Sequence, residues 1–138
     1  MRGLSLVEFL AVLLVLGTLL AVGGVGLTAY LQNSRLNQAR AELAEALRQV
    51  GNRALTESRP YTVRLTLGSS QLSWSNSEGP AGSLTLPHGV RVTSVSPSTT
   101  VEYVGRGFPL SQYRIELQLG SRPPRPVVLL PTGKVVTP

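Results

Sequence analysis

The sequence predicts an α+β protein: one long N-terminal helix packed against a C-terminal head of antiparallel strands. Three observations carry this. From Leu4 to Thr56 there is no proline. Within that stretch the apolar residues first run together and then recur at steps of three and four, the spacing of one helix face. After Arg59-Pro60 the pattern switches to short runs with two-residue alternation, divided by glycine and proline, which is the signature of strands and turns.

The chain has 138 residues and a formal net charge of +6. Its length suits one ordinary soluble domain in addition to the N-terminal segment. All acidic residues are glutamate, and all basic residues are arginine except Lys134. The arginines are spread along the chain, as in a solvated basic surface that attracts anions generally. There is no cysteine. This excludes a disulfide framework, a thiol nucleophile and a zinc-thiolate site, so the head must hold by packing alone.

The first element begins with Met1-Arg2-Gly3, a very short basic leader. Phe9 to Leu31 are apolar or small, about the ~20 residues that a helix needs to cross a bilayer. A cleaved secretory signal would end in a small-residue site, which Thr28-Ala29-Tyr30 matches poorly. A plain signal anchor accounts for the hydrophobicity and for Arg2 on the cytoplasmic side. Neither accounts for Glu8, the only charged side chain from Leu4 to Ser34. A carboxylate in hydrocarbon is costly unless it is neutral or partnered.

Gly3-Leu4-Ser5-Leu6-Val7-Glu8-Phe9-Leu10 resembles the class III leader of type IV pilins and type II secretion pseudopilins. The resemblance implies cleavage by prepilin peptidase between Gly3 and Leu4 and methylation of the new N-terminus at Leu4. It makes Glu8 the fifth residue of the mature chain and an assembly residue. In a low-dielectric helix bundle, Glu8 would neutralise the N-terminal amine of a neighbouring subunit, because an unpaired charge there is heavily penalised. Where many pilins have a proline, this chain has Gly23-Gly24-Val25-Gly26. Each glycine costs about 1 kcal/mol of helix relative to alanine. Gly23, Gly24 and Gly26 therefore form either a segment that melts on leaving lipid or a close helix–helix contact.

The helix continues past the apolar stretch. Leu36, Ala39, Leu43, Ala46, Leu47, Val50 and Ala54 form one stripe, with Arg40, Glu42, Glu45, Arg48, Gln49 and Arg53 mostly on other faces. A single helix from Leu4 to about Thr56 would be roughly 80 Å long. The expected organisation is a cleaved leader at 1–3, a transmembrane and assembly half-helix at 4–31, and an extracytoplasmic head at 32–138.

In the head, Tyr61–Leu67 alternates, with Tyr61, Val63, Leu65 and Leu67 on one face. A turn at Gly68-Ser69-Ser70 returns the chain through Gln71–Trp74, and Ser75–Gly82 reads as a polar loop. Further strands are expected at Ser83–Leu86, Val90–Val95, Thr100–Val104, Gln112–Leu119, Pro126–Leu130 and Val135–Val136. Arg59-Pro60-Tyr61-Thr62-Val63-Arg64-Leu65 with Trp74 is similar to the first hairpin of FimT/GspH-type minor pilins. Val101–Gly107 and Arg125–Val136 resemble the two glycine-centred repeats that close that head.

This narrower resemblance implies a low-copy structural subunit of a type IV pilus or a type II secretion pseudopilus. Its implied partners are other pilins or pseudopilins, prepilin peptidase and the inner-membrane assembly platform. It would sit in the inner membrane by a single pass, with the head in the periplasm. A second reading keeps the scaffold and adds DNA capture through Arg122, Arg125 and Lys134, near the place where some relatives carry a glycine-and-arginine motif. Each phosphate contact would then add about −0.9 to the log–log salt slope.

No enzyme activity and no cofactor or metal are expected. His88 is the only histidine and lies in a turn. Gly105-Arg106-Gly107 lacks the strand–loop–helix context of a phosphate loop. Trp74 reads as hairpin cover.

Overall fold

The computed structural model describes residues 5–138. Its element order is one α-helix followed by eight strands, with a 3-10 turn at Pro87–Gly89 between the third and fourth. Helix α1 spans Leu6–Glu57. It opens with Ser5, whose Oγ accepts the Glu8 amide at 3.2 Å, and closes at Ser58, which adopts φ 52°. There the Arg59 amide donates to the Ala54 carbonyl at 3.1 Å and the Ser58 amide to the Leu55 carbonyl at 3.3 Å. This is a Schellman closure made without glycine, and it satisfies carbonyls that the helix end would otherwise leave open.

The chain divides into two compact units, residues 1–34 and 35–138. In the first, no described side chain is buried, and the described leucines and valines and Phe9 are exposed. This stretch of α1 is long and apolar enough to cross a membrane by length and composition. It is helical through Gly23, Gly24 and Gly26, and nothing stands within 4 Å of where a Cβ on any of the three would lie.

The second unit holds the entire hydrophobic core. Strands β1 (Tyr61–Leu65), β2 (Gln71–Asn76), β3 (Gly79–Thr85) and β5 (Thr100–Tyr103) form one antiparallel sheet in the order β3-β2-β1-β5. Strands β4 (Arg91–Ser96), β6 (Tyr113–Gln118), β7 (Arg125–Leu129) and β8 (Val135–Val136) form the other, in the order β4-β6-β7-β8. The chain thus leaves the first sheet for β4 and returns for β5. The turn after β1 joins the two sheets: the Gly68 amide donates to the Val92 carbonyl at 2.7 Å, and the Val92 amide to the Ser69 carbonyl at 3.0 Å.

The expected stripe of α1 is the helix side of the core. Leu36, Ala39, Leu43, Leu47, Val50 and Ala54 are almost wholly shielded from solvent, and Ala46 is buried beside them. Tyr61, Val63, Leu65, Leu72, Val101 and Tyr103 face them from the first sheet; Val92, Tyr113, Ile115, Leu117, Val127, Leu129 and Val135 do so from the second. Burying one such side chain stabilises by about 1.5–3 kcal/mol.

Three local expectations are corrected. Ser75–Gly82 is not a loop: β2 and β3 turn tightly at Ser77-Glu78, with Gly79 at φ 125°. Pro80 is tolerated because β3 is an edge strand. Leu67 is exposed rather than on the inner face, because β1 ends at Leu65 and the chain turns as the Ser69 amide bonds the Thr66 carbonyl. Arg40, placed among the polar-face residues by spacing, is 7% exposed.

Candidate assembly and binding surfaces

The start of α1 carries the first candidate. Ser5 and Glu8 have the spacing of a capping box, and the Ser5 hydroxyl holds the Glu8 amide. A carboxylate in the first turn also complements the positive end of the helix dipole. The Glu8 side chain is exposed and has no partner among the described residues. The cleavage and methylation positions, Gly3 and Leu4, lie outside the described residues.

In the head, the three basic residues near the C-terminus are not brought into one patch. Arg125 opens β7, whereas Lys134 lies in the turn beyond its far end, where its carbonyl accepts the Leu130 amide at 2.8 Å. Five residues of strand separate the two positions, about 16 Å. Arg122 stands in the loop before β7, its carbonyl accepting from Gln118 Nε2 at 2.8 Å.

Arg125 instead lies near Arg40. The Arg40 guanidinium donates to Asn37 Oδ1 at 3.1 Å and to the Pro126 carbonyl at 3.0 and 3.2 Å, and also to the Pro138 carbonyl. Burial, and secondarily the Arg125 charge, lower its pKa from the ordinary arginine value. Its bonds tie α1 to β7 and to the C-terminal residue. Sequence spacing could not show this, because every remote acceptor is a backbone carbonyl.

A second group of side chains meets where three glycines converge. The structure brings the two glycine-centred turns, Gly107 and Gly133, together against Gly51 on α1. A Cβ on Gly107 would lie 2.9 Å from the Gly51 carbonyl, and one on Gly133 would lie 3.4 Å from the Gly107 carbonyl. Gly107 also has φ +84°, so both its space and its backbone require glycine. Beside this contact, Tyr103 donates its hydroxyl to the Leu47 carbonyl at 3.1 Å. Burial, and less so neighbouring Tyr113, raise its pKa above the ordinary tyrosine value.

The convergence leaves a groove of about 550 Å³ lined by Arg48, Gly51, Asn52, Leu55, Arg106, Gly107, Phe108, Thr132 and Gly133. Leu55 and Phe108 are exposed on its walls. On the opposite flank of α1 a second groove, about 380 Å³, is lined by Glu42, Glu45, Ala46, Gln49, Trp74, Ser83 and Leu84. Trp74 is half-buried and lies flat on Gly82, where a Cβ would come within 2.6 Å of the indole. Its hairpin-covering role is thus direct. A third, hydroxyl-rich depression of about 360 Å³ on the outer face of the first sheet surrounds Arg64.

Among the described residues no group of three or more His, Asp or Glu could hold a metal ion. His88 is exposed, at φ 60°, with its Nε2 3.1 Å from Gln38 Oε1.

No family model matches the chain, and no curated protein sequence does. Solved structures do. The type IV minor pilin FimU of Pseudomonas aeruginosa superposes with a TM-score of 0.64 at 11% identity, over 79% of this chain and 92% of that one. The minor pseudopilin EpsH of the type 2 secretion system of Vibrio cholerae superposes with a TM-score of 0.61 at 10% identity, over 75% and 94%. The fold is pilin-like: one long N-terminal helix with a C-terminal head of antiparallel strands.

Proposed function

We propose that this chain is a structural subunit of a type IV filament system, a low-copy minor pilin or pseudopilin of a pilus or a type II secretion pseudopilus. The observation that carries the proposal is the division of α1. Residues 6–31 present mostly exposed apolar side chains and one carboxylate among the described residues, while residues 36–54 of the same helix supply a core stripe. A helix wholly exposed along an apolar half must be covered by lipid or by like helices. A lone unpartnered carboxylate in that half suits pairing with an amine inside the bundle.

In this reading prepilin peptidase cuts between Gly3 and Leu4 and methylates Leu4. The subunit waits as a single-pass protein of the inner membrane with its head in the periplasm. It then enters the filament through the assembly platform, alongside other pilins or pseudopilins.

The test separates processing from assembly. Gly3→Val should leave the leader attached, seen as an unshifted intact mass. Glu8→Ala should be cleaved normally, keep the wild-type melting temperature of the head, and fall at least tenfold in the sheared filament fraction. Normal levels of Glu8→Ala in that fraction would overturn the role of the carboxylate.

A further inference from the structure

The outward face of the first sheet carries polar side chains in rows. Val63, Leu65 and Leu72 are buried in the core, so by two-residue alternation their neighbours point outward. Strand pairing sets Arg64 on β1 opposite Ser73 on β2, and Ser73 opposite Ser83 on β3. Two residues along, Gln71 lies opposite Thr85, and Thr66 stands just beyond the end of β1. All six are exposed, and they line the depression of about 360 Å³ around Arg64.

None of these six side chains makes a hydrogen bond or ion pair among the described residues. Arg48, Arg53, Arg59 and Arg114 each meet a glutamate, whereas Arg64 meets none. No carboxylate lines the depression. Glu102 is on the far side of β1, on β5 opposite Thr62. Small-ligand sites of roughly 300–1,000 Å³ are ordinarily walled by apolar and aromatic groups. Here the walls are mostly hydroxyls, with one amide and one guanidinium, so the ligand that fits is a hydrophilic anion.

Size decides between kinds of anion. Paired strands stand about 4.8 Å apart, and residues two apart on one strand are about 6.6 Å apart. The row from Arg64 to Ser83 therefore spans about 10 Å, and the row of Gln71 and Thr85 lies about 7 Å from it. A phosphate or sulfate on Arg64 would leave most of the hydroxyls unused. A chain of hydroxylated rings that carries carboxylates uses them all.

We propose that this face binds an acidic saccharide. Arg64 holds a sugar carboxylate in a bidentate pair, which its planar fork is shaped to make. The hydroxyls of Ser73, Ser83, Thr66 and Thr85 and the Gln71 amide both donate and accept, as sugar hydroxyls do. The turn beside them is already fixed, with Ser69 Oγ accepting the Gln71 amide at 3.0 Å, so little order has to be imposed on binding. Because β3 is an edge strand, the depression opens at that side and a longer saccharide can run on past it.

The test uses the full-length protein in a polyoxyethylene detergent, which brings neither sugar nor charge. Trigalacturonate and trimannuronate are titrated calorimetrically, and at least one should bind. The methyl-esterified trimer keeps the hydroxyls without the charge, and inorganic phosphate keeps a charge without the rings; each should bind weaker by about tenfold or more. Arg64→Gln should weaken the acidic trimer by about tenfold or more. Ser73→Asp sets a carboxylate opposite Arg64 and should abolish binding. Thr85→Val removes one hydroxyl at constant shape and should cost about threefold. Arg114→Gln, exposed on the second sheet, should bind as the wild type does.

No binding of either acidic trimer would overturn the proposal. So would equal affinity for the methyl ester or for phosphate, which would mark the site as one for neutral sugars or for any oxyanion. A loss in Arg114→Gln as large as in Arg64→Gln would reduce the effect to the general attraction of a chain of net charge +6, and would overturn it too. Melting temperatures check the fold of each variant. If Arg64→Gln lowers its own, Ser73→Asp and Thr85→Val decide, and unchanged affinity in both would overturn the site.

Discussion

Residues 6–34 and residues 35–57 belong to one helix, and they solve the same problem by different means. The first stretch exposes its described leucines and valines, and Thr18 and Thr28 donate to carbonyls four residues back along the helix. The second holds fewer leucines, alanines and valines, interspersed with arginine and glutamate, and gathers most of them into a stripe shielded by two sheets. The difference lies in how many apolar residues there are and in how they are spaced. Continuous apolar residues suit a surrounding that is apolar on all sides, whereas residues at steps of three and four suit one that is apolar on one side only.

The largest expected effects break this contrast directly. Leu43→Ala and Ile115→Ala each empty a fully buried site and should destabilise the head by about 2–5 kcal/mol in urea or thermal unfolding. Leu13→Ala, half exposed in the first stretch, should leave the unfolding midpoint of the head where it was.

Glycine substitutions should differ in sign. Gly107→Ala forces a Cβ against the Gly51 carbonyl at a positive φ and should cost on the order of 2 kcal/mol of head stability. Gly24→Ala meets nothing within 4 Å and should strengthen the helix by about 1 kcal/mol. If Gly23, Gly24 and Gly26 melt during assembly, replacing all three by alanine will lower filament incorporation while raising helix content in detergent. If they pack against a neighbouring helix, the loss will follow side-chain size instead, greater for leucine than for alanine.

A smaller effect isolates the buried hydroxyl under α1. Tyr103 has a folded-state pKa above its unfolded value, so its contribution is fully present below about pH 10 and is lost as pH rises through the folded value. The head should therefore lose stability above about pH 10. Tyr103→Phe should remove that part of the alkaline dependence while costing about 1 kcal/mol at neutral pH for the bond to the Leu47 carbonyl. The smallest effect is at Glu45→Ala, where an exposed ion pair is lost and head stability should move by less than about 0.5 kcal/mol.

Much of the fold was legible because it rests on local pattern. The stripe from Leu36 to Ala54 followed from helix spacing, and the inner residues of β1 from alternation. What was not legible depends on remote backbone. Nothing in the residues around Arg40 announces that the carbonyls of Pro126 and Pro138 will receive it. The meeting of Gly51, Gly107 and Gly133 joins segments with no shared local signal, although Gly51 as the one glycine between Leu31 and Thr56 was a clue. The hairpin at Ser77-Glu78 was hidden because Gly79-Pro80-Ala81-Gly82 carries loop chemistry, which an edge strand tolerates. Of the candidate sites, Glu8 was visible as a charge out of place. The two grooves were not, since each is assembled from residues of several elements.

The bonds from α1 to the last strands also set an order of events. Arg48 donates to the Val135 carbonyl across 87 positions of sequence, and Arg40 to the Pro126 carbonyl across 86. A ribosome makes the helix first and completes the second of its two covering sheets last. The stripe from Leu36 to Ala54 must therefore lack the second sheet's share of its cover until nearly the whole chain has been synthesised. Such long-range closure is slow, which makes the newborn helix a natural client for whatever guards unfinished chains.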